Sequence, residues 1–537
     1  MTSIVIQDFK GIAPKINAKA LADNLAQYAV NCRLDRSVIQ PLRGIKHVMD
    51  VPVNTQSIFK YQNDALTTTE KTSFVGTMLA NDARERIYLT DQTYPKIRSN
   101  AQVFRLGIPA PATAPTLVVT NPPAVDDLDA QTRVYVVTLV DGWGAEGPPS
   151  PVSAPVDVLE ESEVVVTLPA VPTGNYNLST GAKFRIYRTN TGDSGSYYQF
   201  VADVLIPATT YSDTVHSAYL QEVLPSATWI GPPDDDTALY PNGPLQGLTE
   251  LPGGVLAGFT GNTLCFSEPY LPHAWPLEYR MSSTSQIIGL VQTQQGLVVC
   301  TDGKPYVVTG THPEAMVRIE IESSQPCASA DSIVDMGDYA IYASQDGLVL
   351  VAGNQATLVT KDFVAREDWQ GLSPSTIRGF FYEGLYVGGF GDVSEGRGFI
   401  FDPKGGADSI IMVDNLPVLG SYQDVDFDVY YLLYKKSAGE WAIGEFNAGA
   451  ELPYLWHSKK FLTPKPVCFS CLRVEADRYP VTVKLIADGR VRASYTLTDN
   501  RVQRLPSGYR ARMWEIEITG TGIVSYVGVH ESMSEVI

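Results

Sequence analysis

The chain has 537 residues, 44% of them hydrophobic and only 18% charged, with a net charge of −19. That balance excludes a disordered chain, and the length exceeds one ordinary core, so two to four domains are expected. The acidic excess argues against a protein that grips nucleic acid, because grip needs Lys and Arg to displace the counterions of the phosphates.

Residues 1–44 read as an N-terminal leader. The Ala- and Leu-rich stretch Ala20–Cys32 is its most helix-compatible part, and a short helix is expected there. Arg33–Arg36 leads into Pro41-Leu-Arg-Gly44, which reads as a turn. Residues 45–108 hold the strand-like pieces Ser57–Tyr61, Thr72–Gly76 and Glu85–Thr90, enough for a first propeller blade.

Pro109-Ala-Pro-Ala-Thr-Ala-Pro115 then marks a compositional break. Residues 109–233 carry six or seven short strands, among them Arg133–Val140, Glu163–Leu168, Lys183–Arg188 and Tyr197–Ala202. This size and rhythm predict an inserted fibronectin type III-like or immunoglobulin-like sandwich, with Pro232-Pro-Asp-Asp-Asp236 at its exit.

Residues 234–462 repeat one phrase, an apolar strand, a Gly- or Asp-containing turn and a second apolar strand. It recurs at Gly254–Phe266, Gly296–Val308, Tyr339–Val351 and Gly384–Gly388. Antiparallel hairpins at intervals of roughly 40 residues predict the remaining blades of a β-propeller. Residues 463–537 alternate with period two at Pro480–Ile486, Ala493–Leu497 and Trp514–Thr519, as a C-terminal β-sandwich would. The expected fold class is therefore all-β: a propeller of antiparallel hairpin blades, an inserted sandwich and a terminal sandwich.

No motif carries chemistry. Gly142-Trp-Gly-Ala-Glu-Gly147 matches a dinucleotide fingerprint after a strand, but Pro148–Pro151 forbids the helix whose N-terminus would face pyrophosphate, so a sandwich loop is expected. Asp424-Val-Asp-Phe-Asp428 lacks the Gly and distal Glu of a calcium loop and reads as a strand with an acidic solvent face. Cys468-Phe-Ser-Cys471 is a lone CxxC, and most of the six cysteines sit in apolar strands, where they read as small hydrophobes. The six histidines are isolated. Ser344-Gln-Asp-Gly347 is half of a sialidase Asp box without its Thr-Trp half. Trp275, Trp369, Trp441 and Trp456 read as blade-packing residues rather than sugar platforms. No catalytic, cofactor-binding or metal site is expected, and the protein is not read as an enzyme. Neither a signal peptide nor an apolar stretch of membrane-spanning length, about 18 residues, is visible.

Both ends of the chain nonetheless carry a likeness. Gly11-Ile-Ala-Pro-Lys15, Leu21-Ala-Asp-Asn24, Ala29-Val-Asn31 and Pro41-Leu-Arg-Gly44 resemble the opening of bacteriophage tail proteins. Tyr479–Leu485, Arg504–Tyr509 and Trp514–Gly520 resemble their end, and Gly144–Ser150 a loop of their inserted domain. The chain resembles the tail nozzle (tail tubular protein B-like) virion proteins of short-tailed phages, though it is shorter than the larger of them. The resemblance implies a structural protein of the virion tail, made in the host cytoplasm. It implies a homo-hexameric ring below the adaptor and portal-side ring proteins, through which genomic DNA passes without specific binding. Contacts with tail fibres or receptor-binding proteins fall to the inserted sandwich. The alternative is a phage tail receptor- or carbohydrate-binding protein that uses a propeller or sandwich face.

Overall fold

The computed structural model describes residues 3–34, 36–61, 64–124, 129–192, 195–405, 410–424, 427–437 and 439–535. The chain is almost entirely β, and Arg366–Gly371 is the single α-helix among the described residues. It divides into two compact units. One comprises 1–71, 291–308 and 318–537, and the other 72–290 and 309–317.

The β-propeller is built of four-stranded antiparallel sheets in which each strand pairs with the next in the chain. In the unit of 72–290 one blade is Ser73–Gly76, Ile87–Thr90, Lys96–Ser99 and Gln102–Arg105. Another is Gln246–Leu251, Val255–Thr260, Thr263–Phe266 and Met281–Ser282. In the other unit, Val334–Leu358 and Arg378–Val413 each form one.

In two of the recurrent phrases, and in the turn at 293–296, a hydroxyl at the mouth of the turn fixes its shape. Ser344 Oγ donates to Gly347 O at 2.9 Å and accepts from Asp346 N at 3.2 Å. Thr301 does the same with Lys304 O at 2.9 Å and Gly303 N at 3.0 Å, and Thr293 with Gly296 O at 3.0 Å and Gln295 N at 3.3 Å. A short side chain thus supplies the bonds that the turning backbone cannot make to itself. Gly347 is obligatory: its φ is +155°, and a Cβ there would lie 2.1 Å from Thr360 Oγ1.

Between the two blades of the second unit lies a two-layer sandwich. Thr116–Thr120, Glu163–Thr167 and Thr210–Asp213 form one sheet, and Tyr135–Val140, Lys183–Gly192 and Gly195–Leu205 the other, with Gln131–Arg133 paired to Val156–Val158. Tyr135, Val137, Leu139, Val164, Val166, Phe184 and Ile186 fill its core. The chain visits these strands in an order unlike that of the immunoglobulin domain, whose first two strands are neighbours in one sheet. Here the first strand, Thr116–Thr120, pairs with Glu163–Thr167, which comes only after the Tyr135–Val140 strand has been laid in the opposite layer.

The leader corrects the sequence expectation. No helix forms over 20–32. Ala26–Val30 is a strand, antiparallel to Tyr454–Ser458 on one side and bridged in parallel to Met412 on the other. Ala and Leu favour a helix over the average residue by only a few tenths of a kcal/mol, whereas two open sheet edges offer a row of backbone partners to an extended segment. Asn31 breaks the local run with φ +54°. Ser3–Ile6 likewise pairs with Val527–His530, and Lys46–Val51 is the fourth strand of the sheet made by Val418–Asp424, Val429–Ser437 and Glu440–Glu445. Ala26–Val30 thereby joins the Arg378–Val413 blade to the C-terminal strands Tyr454–Ser458, Ala511–Gly520, Val481–Ala487 and Arg490–Leu497 in one ten-stranded sheet. The burial of Val481–Ala487 alternates strictly, as its period-two sequence demands.

Candidate functional site

The loop over 141–147 is built by two carboxylates. Asp141 Oδ1 accepts from Trp143 N at 2.9 Å and Ala145 N at 2.8 Å. Glu146, buried, accepts from Thr138 Oγ1 and Tyr187 Oη at 2.8 Å each and from Arg185 Nη1 at 3.0 Å. Two of the loop's glycines serve close packing, since a Cβ on Gly142 would lie 2.5 Å from Thr180 O and one on Gly147 2.6 Å from the Ile108 side chain, whereas Gly144 serves the turn with φ +90°. Gly147–Pro155 continues without a helix, so the fingerprint-like spacing belongs to a sandwich loop.

Beside this loop lies a cavity of about 290 Å³, lined by Arg86, Arg105, Asp141, Trp143, Tyr176, Asn177, Tyr270 and His273 among others. Trp143 is held edge-on against Phe104, with centroids 5.5 Å apart. Arg86 Nε donates to Asp82 Oδ2 at 2.7 Å, and Asp82 is held down to about 2 against the cost of its burial by Arg86 and two backbone N–H groups. Arg105 lies over the Tyr94 ring at 4.0 Å and is paired with Asp234 and Asp235. Burial raises the Asp141 carboxyl above its ordinary value despite its two N–H donors. The Asn177 side chain faces the Asp141 carboxyl and helps to stabilise its charge, but its buried Nδ2 makes no close hydrogen bond.

His273 Nε2 stands 3.0 Å from Glu146 O, so this nitrogen carries the proton of a neutral ring and Nδ1 is left as an acceptor. Burial pushes the imidazole down to about 4, with nearby Arg86 adding to the shift. The unfolded chain therefore binds a proton that the folded chain refuses between pH 6.5 and 4. This contribution to stability is whole above pH 6.5 and is lost as pH falls toward 4, by up to ~3 kcal/mol. The urea midpoint of the wild type should fall relative to that of His273→Gln as pH is lowered from 7 to 4.5. Parallel curves would show that the ring ionises freely in the fold.

The other residues singled out by sequence are dispersed. Asp424 is not on a solvent face: it is buried and ion-paired with Lys60. Asp428 lies in a turn with φ +51°, while positions 425 and 426 lie outside the described residues. Cys471 is buried beneath His530 O, and Cys468 is half-buried. No cluster of three His, Cys, Asp or Glu suited to a metal occurs among the described residues. The Thr and Trp missing after Ser344–Gly347 arrive from farther along the chain. Thr360 Oγ1 accepts from Leu348 N at 3.1 Å, and Trp369 Nε1 donates to Ser344 O at 2.9 Å. Trp275, Trp369 and Trp456 are fully buried, and Trp441 is half-buried beneath Lys435.

A second concave surface lies in the other unit. The edge strand Lys46–Val51 exposes Val48 and Met49, at 48% and 42%, beside Ile58, Phe59, Tyr422 and Tyr431. Lys60 lies over the exposed Phe427 ring at 4.8 Å.

No family model matches the chain, and no curated protein does. Three solved structures are similar to parts of it. The Pan2 WD40 domain of Neurospora crassa has 7% identity and TM-score 0.26, over 55% of this chain and 85% of its own. Hsv2 of Kluyvelomyces marxianus has 10% identity and TM-score 0.22, over 51% and 70%. YCF48 from Cyanidioschyzon merolae has 10% identity and TM-score 0.29, over 75% and 98%. Scores this low carry no argument about function, and the fold rests on the sheets described above.

Proposed function

We propose that the chain is a structural protein of a phage virion, one of six subunits of a tail nozzle ring that conducts the genome during ejection. The observation that supports this reading is where the family-like phrases meet. Ala29-Val-Asn31 overlaps the strand beside Tyr454–Ser458, that strand pairs with Trp514–Gly520, and Trp514–Gly520 pairs with Val481–Ala487 of the Tyr479–Leu485 phrase. Gly44 N donates to Ala450 O at 2.8 Å, and Leu452 N to Leu42 O at 2.8 Å. Phrases from the two ends of the chain thus meet in one sheet, as residues selected together to build one body would.

A ring needs a repeated subunit contact, not a reaction centre. The exposed apolar edge strand Lys46–Val51 is suited to such a contact, because an unpaired edge with apolar side chains invites another chain. Six copies would multiply the −19 charge of each chain, and carboxylates along a lumen would repel phosphate and keep DNA sliding. No helix among the described residues is long and apolar enough to cross a membrane. The adaptor and fibre proteins remain partners of this proposal. Its test is stoichiometry: native mass spectrometry of the assembled protein and copy number per virion should both return multiples of six. A trimer, or a monomer that never enters virions, overturns the reading.

A further inference from the structure

We propose that the cavity beside the 141–147 loop binds a neutral, polyhydroxylated ring of about the size of one pyranose. This goes beyond the structural role above and does not depend on it. The volume, about 290 Å³, lies just below the roughly 300–1,000 Å³ usual for small-molecule pockets, which limits the occupant to a single small ring.

The walls supply the two things such a ring needs. Its C–H face needs aromatic surface, and Trp143, Tyr176 and Tyr270 provide it. Trp143 is braced by Phe104, Tyr176 lies 5.6 Å from the Arg105 guanidinium, and Tyr270 is about half exposed. The indole and the phenol therefore stand largely pre-oriented, at little entropic cost to a ligand. Its hydroxyls need donors and acceptors held at fixed places. The buried Nδ2 of Asn177 is a donor with only the Asp141 carboxyl beside it and no close hydrogen bond. His273 keeps Nδ1 as an acceptor because its other nitrogen is committed to Glu146 O. Arg86, fixed through Nε by Asp82, keeps its terminal amino groups as donors. A hydroxyl can serve both kinds of partner, whereas an apolar ligand would leave Asn177 unsatisfied.

Charge decides against ionic occupants. Arg86 is matched by Asp82, and Arg105 by Asp234 and Asp235. An anion would meet the Asp141 carboxyl and a cation the Arg86 guanidinium, so neither sign finds an uncompensated partner. These groups come from a propeller blade, from the sandwich and from the loop over 270–273, all within one compact unit.

Saturation-transfer NMR on the full-length protein, with the methyl glycosides of glucose, galactose and mannose as probes, tests the assignment. At least one should bind saturably with a Kd on the order of 1–10 mM, as suits a single small ring. Trp143→Ala and Asn177→Ala should each weaken that binding about tenfold or more while circular dichroism shows the fold intact. Tyr28→Ala, on an exposed ring in the other unit, should leave it unchanged. Asn177→Ala removes an amide that makes no close hydrogen bond, so it remains informative should Trp143→Ala fail to fold. The proposal is overturned if no glycoside saturates, if binding survives unchanged in the folded variants, or if glucuronate or glucosamine binds more tightly than the neutral glycosides.

Discussion

Asp213→Ala is expected to destabilise the sandwich by about 3–5 kcal/mol, a large part of what holds a domain of this kind together. Arg188 and Asp213 are both completely buried and joined at 2.6 Å. The same carboxylate oxygen accepts from Tyr135 Oη at 2.7 Å, and the other accepts from Val215 N at 2.9 Å. Arg188 Nη2 donates to Val215 O at 2.6 Å, while its Nε has no partner. Burial and the adjacent carboxylate push the Tyr135 phenol above its ordinary range, so it acts as a donor at every accessible pH. Removing the carboxylate strands a guanidinium with no solvent to receive it and leaves a phenol without an acceptor. The matched double variant Arg188→Met/Asp213→Leu removes both charges and should be much less damaging than the single change. Urea denaturation of the three proteins measures this. A loss under about 1 kcal/mol for Asp213→Ala would show that water reaches the pair.

The pair also marks the limit of what sequence can disclose. Arg188 stands in the phrase Lys183–Arg188, legible as a strand, but nothing local says that its guanidinium points inward to a carboxylate 25 residues later. Hairpins were legible throughout, because strand, turn and strand are contiguous and the turn residues are dictated by local φ and by side-chain hydroxyls such as Ser344 and Thr301. Pairing between distant segments was not. Ala26–Val30 is composed like a helix and becomes a strand only because Tyr454–Ser458 and Ile410–Val413 leave edges for it. The cavity was invisible for the same reason. Arg86, Asn177 and His273 come from three segments, each group unremarkable where it stands, and only the loop carrying Trp143 had a signal of its own. The Asp424 phrase failed in the other direction: its alternation suggested a solvent face, but one lysine, Lys60, drew the first carboxylate inward.

Deleting residues 1–31 should abolish the folding of the unit that contains the C-terminal strands, the largest effect expected of any change to this chain. Ile4, Ile6, Phe9, Ile12, Leu21 and Leu25 are all buried in the core shared with Trp456, Trp514, Ile516 and Val527. At about 1.5–3 kcal/mol for each large side chain, their burial amounts to roughly 9–18 kcal/mol, comparable with the whole stability of a domain. Two backbone ladders would go as well, those on Tyr454–Ser458 and on Val527–His530, leaving both edges open. Phe9 packs edge-on against Trp456 at 5.0 Å, and Trp456 Nε1 donates to Lys10 O at 3.0 Å, so one of the core's tryptophans would lose its partner and its acceptor together. The truncated protein should appear in inclusion bodies or bind a hydrophobic dye, without a cooperative thermal transition for this unit. Because the deleted piece is contiguous, supplying residues 1–31 as a separate peptide should restore part of the transition. That rescue distinguishes loss of these contacts from a general failure of expression. A truncated chain that melts cooperatively at the wild-type temperature would mean that the leader decorates the sheets rather than completing them.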